Sequence, residues 1–132
     1  MARNRWSACL LLLAFVTLGQ AAPASAITAE EFLLRSGADV VALCATPPSD
    51  ALYTAAVHMC HGFGAGTYQT LMALTRHEKV QPIVCPPAPA PSRNETVVRL
   101  LDWAKRNPQY MTEPAVEMLG RFFITEFPCR PK

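Results

Sequence analysis

Apolar residues return every three or four positions along most of this chain, and no stretch shows strict alternation of apolar and polar residues. The first spacing follows one face of an α-helix; the second would mark a half-buried strand. The pattern therefore predicts an all-α fold. Val97, Val98, Leu101 and Ala104 share one side of a helix over 93–106, with Arg99, Asp102 and Arg106 on the other. Ala115, Val116, Leu119, Phe122 and Phe123 form the core stripe of a last helix. The longest helix is expected over about 50–76, with Leu52, Ala56, Met59, Phe63, Leu71 and Leu74 among its apolar positions. Two short helices precede it, one over about 29–35 and one that carries Val40, Val41 and Leu43 up to Cys44.

Capping residues and helix breakers place the boundaries. Thr28 with Glu31, and Ser92 with Glu95, have the spacing of a capping box, in which each side chain satisfies a free backbone N–H at a helix start. Ser36 with Asp39 can open another helix, Ser49 or Asp50 the longest one, and Thr112 the last, with Pro114 tolerated in its first turn. Pro47-Pro48 forces a turn and Asn107-Pro108 ends a helix. Three i,i+4 pairs, Glu95–Arg99, Asp102–Arg106 and Glu117–Arg121, are expected on the solvent faces. The architecture implied is a compact bundle of four to five helices around one core.

Two segments break the regular pattern. Gly62-Phe63-Gly64-Ala65-Gly66 lies inside the longest helix, where each glycine costs about 1 kcal/mol against alanine. Gly62 and Gly66 share a face, so the expectation is a close approach of another helix there, or a kink. A phosphate-binding loop would need a lysine and a Ser/Thr after a strand, and has neither here. Residues 82–91 contain Pro82, Pro86, Pro87, Pro89 and Pro91, a stiff extended connection that serves as a spacer or an exposed recognition loop.

The N-terminus changes how composition is read. Arg3 and Arg5 precede an uncharged run from Trp6 to Gly19, and Ala24-Ser25-Ala26 follows. These are the three parts of a cleavable secretory signal over residues 1–26, the run being shorter than the about 20 apolar residues of a membrane anchor. Cys9 sits too early in it for a lipoprotein. Without the signal, residues 27–132 lose two of the twelve basic residues and none of the ten acidic ones, so the formal charge falls from +2 to zero. A neutral domain gives no electrostatic case for nucleic acid or for a membrane surface after signal cleavage. A domain of this size buries only about 60–70% of its unfolded surface, so covalent staples matter.

Four cysteines remain: Cys44, Cys60, Cys85 and Cys129. An even number in a small exported domain reads as a disulfide framework and places the protein in the periplasm or outside the cell. Three pairings are open, and sequence alone does not choose. Cys44–Cys60 with Cys85–Cys129 is favoured, because the first closes a short loop between neighbouring helices and the second ties the proline segment to the tail. Zinc would call for a closer pair than the 16-residue spacing of Cys44 and Cys60.

Candidate chemistry is sparse. His58 and His61 are three apart on one helical face, with no carboxylate nearby to complete a metal site, and a bonded Cys60 would remove a Cys–His nucleophile. Val57 stands where a haem-attachment motif would place its first cysteine. Glu113, Glu117 and Glu126 read as a solvated face, and Asn94-Glu95-Thr96 fits a glycosylation sequon that the helix start explains equally well. No catalytic residue, metal or cofactor is therefore assigned, and an enzyme is not expected.

Four features then occur in order. Ser36-Gly37 leads into Val41-Ala42-Leu43-Cys44. Cys60-His61-Gly62-Phe63-Gly64-Ala65-Gly66 is a Cys-x-Gly-aromatic-x-x-Gly helix. Cys85-Pro86 precedes a capped helix that carries Val97-Val98 and Leu101 and ends at Asn107-Pro108. Ala115 to Leu119 is followed by Phe127-Pro128-Cys129. This set resembles the Rap/Tai immunity-protein family, small periplasmic helical proteins of Gram-negative bacteria, over about residues 36–129. The resemblance implies a protein that binds and inhibits a peptidoglycan amidase effector delivered by type VI secretion, and that forms a homodimer. It carries over no partner-binding residues, which stay unknown. The alternatives from other classes are a periplasmic stress or chaperone-type helical protein, and a metal- or haem-binding module at His58 and His61.

Overall fold

Ser36 and Ser92 start two helices by the same device. The Ser36 hydroxyl accepts from the Asp39 N–H at 3.4 Å while the Asp39 carboxylate accepts from the Ser36 N–H at 2.9 Å, and α1 (Gly37–Cys44) begins. Ser92 and Glu95 repeat the arrangement at the start of α3 (Arg93–Arg106). The computed structural model describes residues 26–78 and 80–129, so the expected signal segment, Ala26 apart, lies outside the described residues with Cys9. Among those residues α2 (Tyr53–His77) and α4 (Ala115–Glu126) complete four helices, with single 3-10 turns at Glu31–Leu33 and Pro108–Tyr110. No strand forms among them; one isolated antiparallel bridge joins Ser36 to Pro114. The fold is all-α, with two disulfides, as the pattern predicts.

Several boundaries differ from expectation, for local reasons. Thr28 and Glu31 do bond, but only one 3-10 turn follows, because Leu34 turns left-handed at φ 50°. Asp50 does not cap α2. Its carboxylate accepts from the N–H of Leu52 and from that of Ile27, so it ties the first described residues to the turn before α2. Nor does Thr112 cap α4, which starts directly after Pro114 with no side-chain cap. Instead the Gly37 N–H donates to the Glu113 carbonyl and the Ala38 N–H to that of Met111, docking the start of α1 against the approach to α4.

The core lies where α1, α3 and α4 meet, with α2 laid along α1 and α4. Phe122, Leu43, Met118, Leu119, Val40 and Val84 are its most deeply buried large side chains. Phe122 packs edge-on to Trp103 and Phe127, and Phe123 packs against Tyr68 of α2. Not every apolar residue of the expected stripes is inside. Val98, Val116 and Leu74 are more than half exposed, and Leu52 and Met59 are also exposed. Each of the first three adjoins a better-buried residue, Val97, Ala115 and Thr75, and one step along a helix turns a side chain by about 100°.

Close approach occurs at a glycine, though not where the sequence pattern placed it. A Cβ on Gly37 would stand 2.8 Å from the Met118 side chain and 2.9 Å from the Tyr110 carbonyl oxygen. By contrast, a Cβ on Gly62 or Gly66 would meet nothing within 4 Å. The helix packing expected at Gly62 and Gly66 is thus corrected: both are exposed, and no other element of the described chain lies against them.

Both favoured disulfides form. Cys44–Cys60 joins the end of α1 to α2, and Cys85–Cys129 joins the proline segment to the tail, with Cα separations of 5.2 and 4.9 Å. The surface ion pairs regroup relative to the i,i+4 expectation. Arg99 reaches Glu126 across to α4, Arg121 bonds Glu113 at 2.6 Å, and Asp102 takes Lys105.

Candidate functional site: a cleft between α2 and the proline segment

A cleft of about 300 Å³ opens between the middle of α2 and the loop that leads into α3. His61, Gly64, Ala65, Tyr68 and Gln69 form the α2 wall. Pro86, Ala90 and Pro91 form the facing wall, continued by Arg93, Thr96 and Val97 in the first turns of α3. The floor is the core itself: Val40, Leu100, Leu119 and Phe122, each at most 4% exposed, with Phe123 and Phe127 beside them.

Local sequence accounts for both walls. Gly64 has no side chain and Ala65 only a methyl, so α2 leaves room where a larger pair would fill it; a Cβ on Gly64 meets nothing within 4 Å. The proline wall is stiff because proline fixes φ, and it is held at its base three ways. Val84 is 1% exposed, Cys85 is bonded to Cys129, and the Cys85 N–H donates to the Phe127 carbonyl at 2.8 Å.

The rim is cationic. Arg93 is the one lining side chain with a full charge, and no carboxylate lines the cleft. The ion pairs among the described residues, Arg35–Glu30, Arg99–Glu126, Lys105–Asp102 and Arg121–Glu113, leave Arg93 without a partner. Glu95, two residues on, faces back: its carboxylate accepts from the Ser92 hydroxyl and the Ser92 N–H, both at 2.7 Å. Those bonds, the hydroxyl's first, hold the Glu95 carboxyl below its ordinary value. Imidazole and amide groups from His61 and Gln69 complete the polar edge.

The residues considered for chemistry are dispersed. His61 lines the cleft, whereas His58 is exposed on α2. No group of three or more His, Cys, Asp or Glu side chains among the described residues is placed to hold a metal. Cys60 is disulfide-bonded and offers no thiol. Arg93, Tyr68 and Gln69 also line the cleft and belong to no motif in the sequence. Phe122 and Phe123 were legible there as core, but not as the floor of an opening. The signal for the cleft was present in Gly64-Ala65 and in the proline run; what periodicity lacks is the fold that sets them opposite each other.

Fold and site together define a class: a small, disulfide-stapled helical module with a preformed apolar cleft and no assembled catalytic constellation among its described residues. The family model of Rap1a immunity proteins matches residues 36–129, from the cap of α1 to the last bonded cysteine. The chain belongs to the Rap1a immunity protein family. No curated protein and no solved structure matches it. Membership points to an immunity protein, one that works by binding a partner protein. No described helix is long and apolar enough to cross a membrane.

Proposed function

We propose that the protein is exported by removal of residues 1–26 and acts in the periplasm as an immunity protein that binds and inhibits a peptidoglycan amidase effector of type VI secretion. The single observation that carries this reading is the family match, which spans all four helices and both disulfides. Two disulfides in a domain of this size suit an oxidising compartment. The protein works by occupying its target, not by turnover, and the functional unit is a homodimer.

The decisive experiment produces a secreted peptidoglycan amidase in the periplasm with and without this protein. The expected result is lysis by the amidase alone, growth when both are present, and a stable complex on gel filtration. Light scattering on the free protein should give twice the mass of the cleaved chain. Absence of both complex and protection, across the secreted hydrolases encoded beside it, would overturn the reading.

A further inference from the structure

Resting on the immunity reading, we propose that the cleft between α2 and the proline segment is the anchor pocket of the partner interface. It receives one aromatic or branched apolar side chain of the partner protein, carried next to a carboxylate that meets Arg93.

Shape and chemistry agree on this occupant. The floor is apolar, and the Tyr68 and Phe123 rings lie 5.6 Å apart at its edge, a surface suited to another ring or an isobutyl group. The floor is closed, because Leu119 and Phe122 are buried in the core beneath it, and a volume of about 300 Å³ matches a side chain better than a helix. The walls are set before binding, since the proline segment is pinned through Cys85–Cys129 and little order must be gained on association. Protein interfaces concentrate their energy in a few such anchors. Charge settles the neighbour. Arg93 is unpaired among the described residues, and Glu95, two residues on, is engaged by Ser92. A partner lysine or arginine at this rim would be repelled, and an aspartate or glutamate would be drawn in.

The test uses the full mature chain and a defined probe, the acetylated dipeptide amide Asp-Phe, followed by two-dimensional NMR. Shifts should concentrate on Gly64, Ala65, Tyr68, Thr96 and Val97. The Asp-Ala peptide should bind about ten- to a hundredfold more weakly, the loss of one buried apolar side chain. The Asn-Phe peptide, and the Arg93→Gln variant with Asp-Phe, should each bind about tenfold more weakly. Gly64→Leu fills the cleft from a position where a Cβ meets nothing, so it should fold and lose the probe. Gly120→Leu, equally open but outside the cleft, should keep it.

The same variants are then run in the amidase protection assay. Protection by wild type and Gly120→Leu but not Gly64→Leu supports the proposal. Equal protection by Gly64→Leu overturns it, as do probe shifts that ignore the Asn and Ala exchanges. If decanoate displaces the probe while Gly64→Leu still protects, the occupant is a small amphiphile and the proposal fails. Wild type that fails to protect while the peptide pattern holds strikes the immunity reading alone.

Discussion

Adding one methyl to Gly37 should destabilise this protein, whereas the same change at Gly62 or Gly66 should stabilise it. Glycine in a helix costs about 1 kcal/mol against alanine, so propensity alone favours all three substitutions. Packing reverses the sign at Gly37. There the new Cβ falls 2.8 Å from Met118 and 2.9 Å from the Tyr110 carbonyl oxygen, both inside the distance that real Cβ atoms keep. Met118 has no exposed surface, and Tyr110 presents backbone, so neither can swing away. Overpacking of this kind costs about 1–3 kcal/mol, and the rigid neighbours place it near the upper end. Setting the helix gain against it leaves Gly37→Ala about 2 kcal/mol less stable. At Gly62 and Gly66 nothing opposes the gain of about 1 kcal/mol. For a domain near 100 residues, 1 kcal/mol moves Tm by about 4–8 °C. Thermal unfolding of the oxidised protein, at a concentration where it is monomeric, should therefore show a fall of about 10 °C for Gly37→Ala and a rise of about 5 °C for each α2 variant. A Gly37→Ala protein as stable as wild type, or a Gly62→Ala protein that melts lower, would refute the packing described for α1, α2 and α4.

Two further outcomes follow from the staples and caps. Replacing Cys85 and Cys129 together by serine should cost about 4 kcal/mol on loop entropy over a separation of 44 residues, and replacing Cys44 and Cys60 about 3 kcal/mol over 16; urea titrations that rank the pairs in reverse would count against a purely entropic role. Glu95 has its folded pKa below the ordinary value of 4.5, so its contribution to the start of α3 is complete above that value and is lost as pH falls through the lower, folded value. Carboxyl NMR titration should show the Glu95 midpoint moving toward 4.5 in Ser92→Ala, which keeps the backbone N–H, and an unchanged midpoint would remove the Ser92 hydroxyl as the main cause.

Sequence carried the helices well and their faces unevenly. Capping at Ser36 and Ser92 was legible because a capping box is local: four residues contain the whole interaction. Asp50 and Thr112 had the same residue chemistry but did not cap, since Asp50 is drawn to Ile27 across the fold and the entry to α4 is held by Gly37 and Ala38. On α3 and α4 the stripe read one position too wide, taking in Val98 and Val116, because apolar character does not say which neighbour arrives. The ion pairs went the same way. Arg99 had Glu95 within one turn, yet the Ser92 cap engages Glu95 and α4 offers Glu126, a partner 27 residues distant. The cleft was the least legible feature, since its two walls lie on segments whose approach only the assembled chain determines.

The three glycines of α2 show how these levels connect. Read along the sequence they are one motif, with helix packing at Gly62 and Gly66, or a kink, as its expected role. In the fold they separate. Gly64 borders the cleft, and its missing side chain is part of what leaves the opening. Gly62 and Gly66 face outward, where their cost of about 2 kcal/mol to α2 is returned by no contact within the described chain. What offsets that cost sits next to them: Cys60, two residues before Gly62, carries the disulfide to α1, worth about 3 kcal/mol, and Ala56 and Cys60 bury against Leu43. The weakest stretch of the longest helix thus lies beside a covalent bond to α1, two residues from Gly62. An oxidising compartment would preserve both that bond and the Cys85–Cys129 bond that pins the proline wall of the cleft, so the two disulfides fit the proposed binding role outside the cytoplasm.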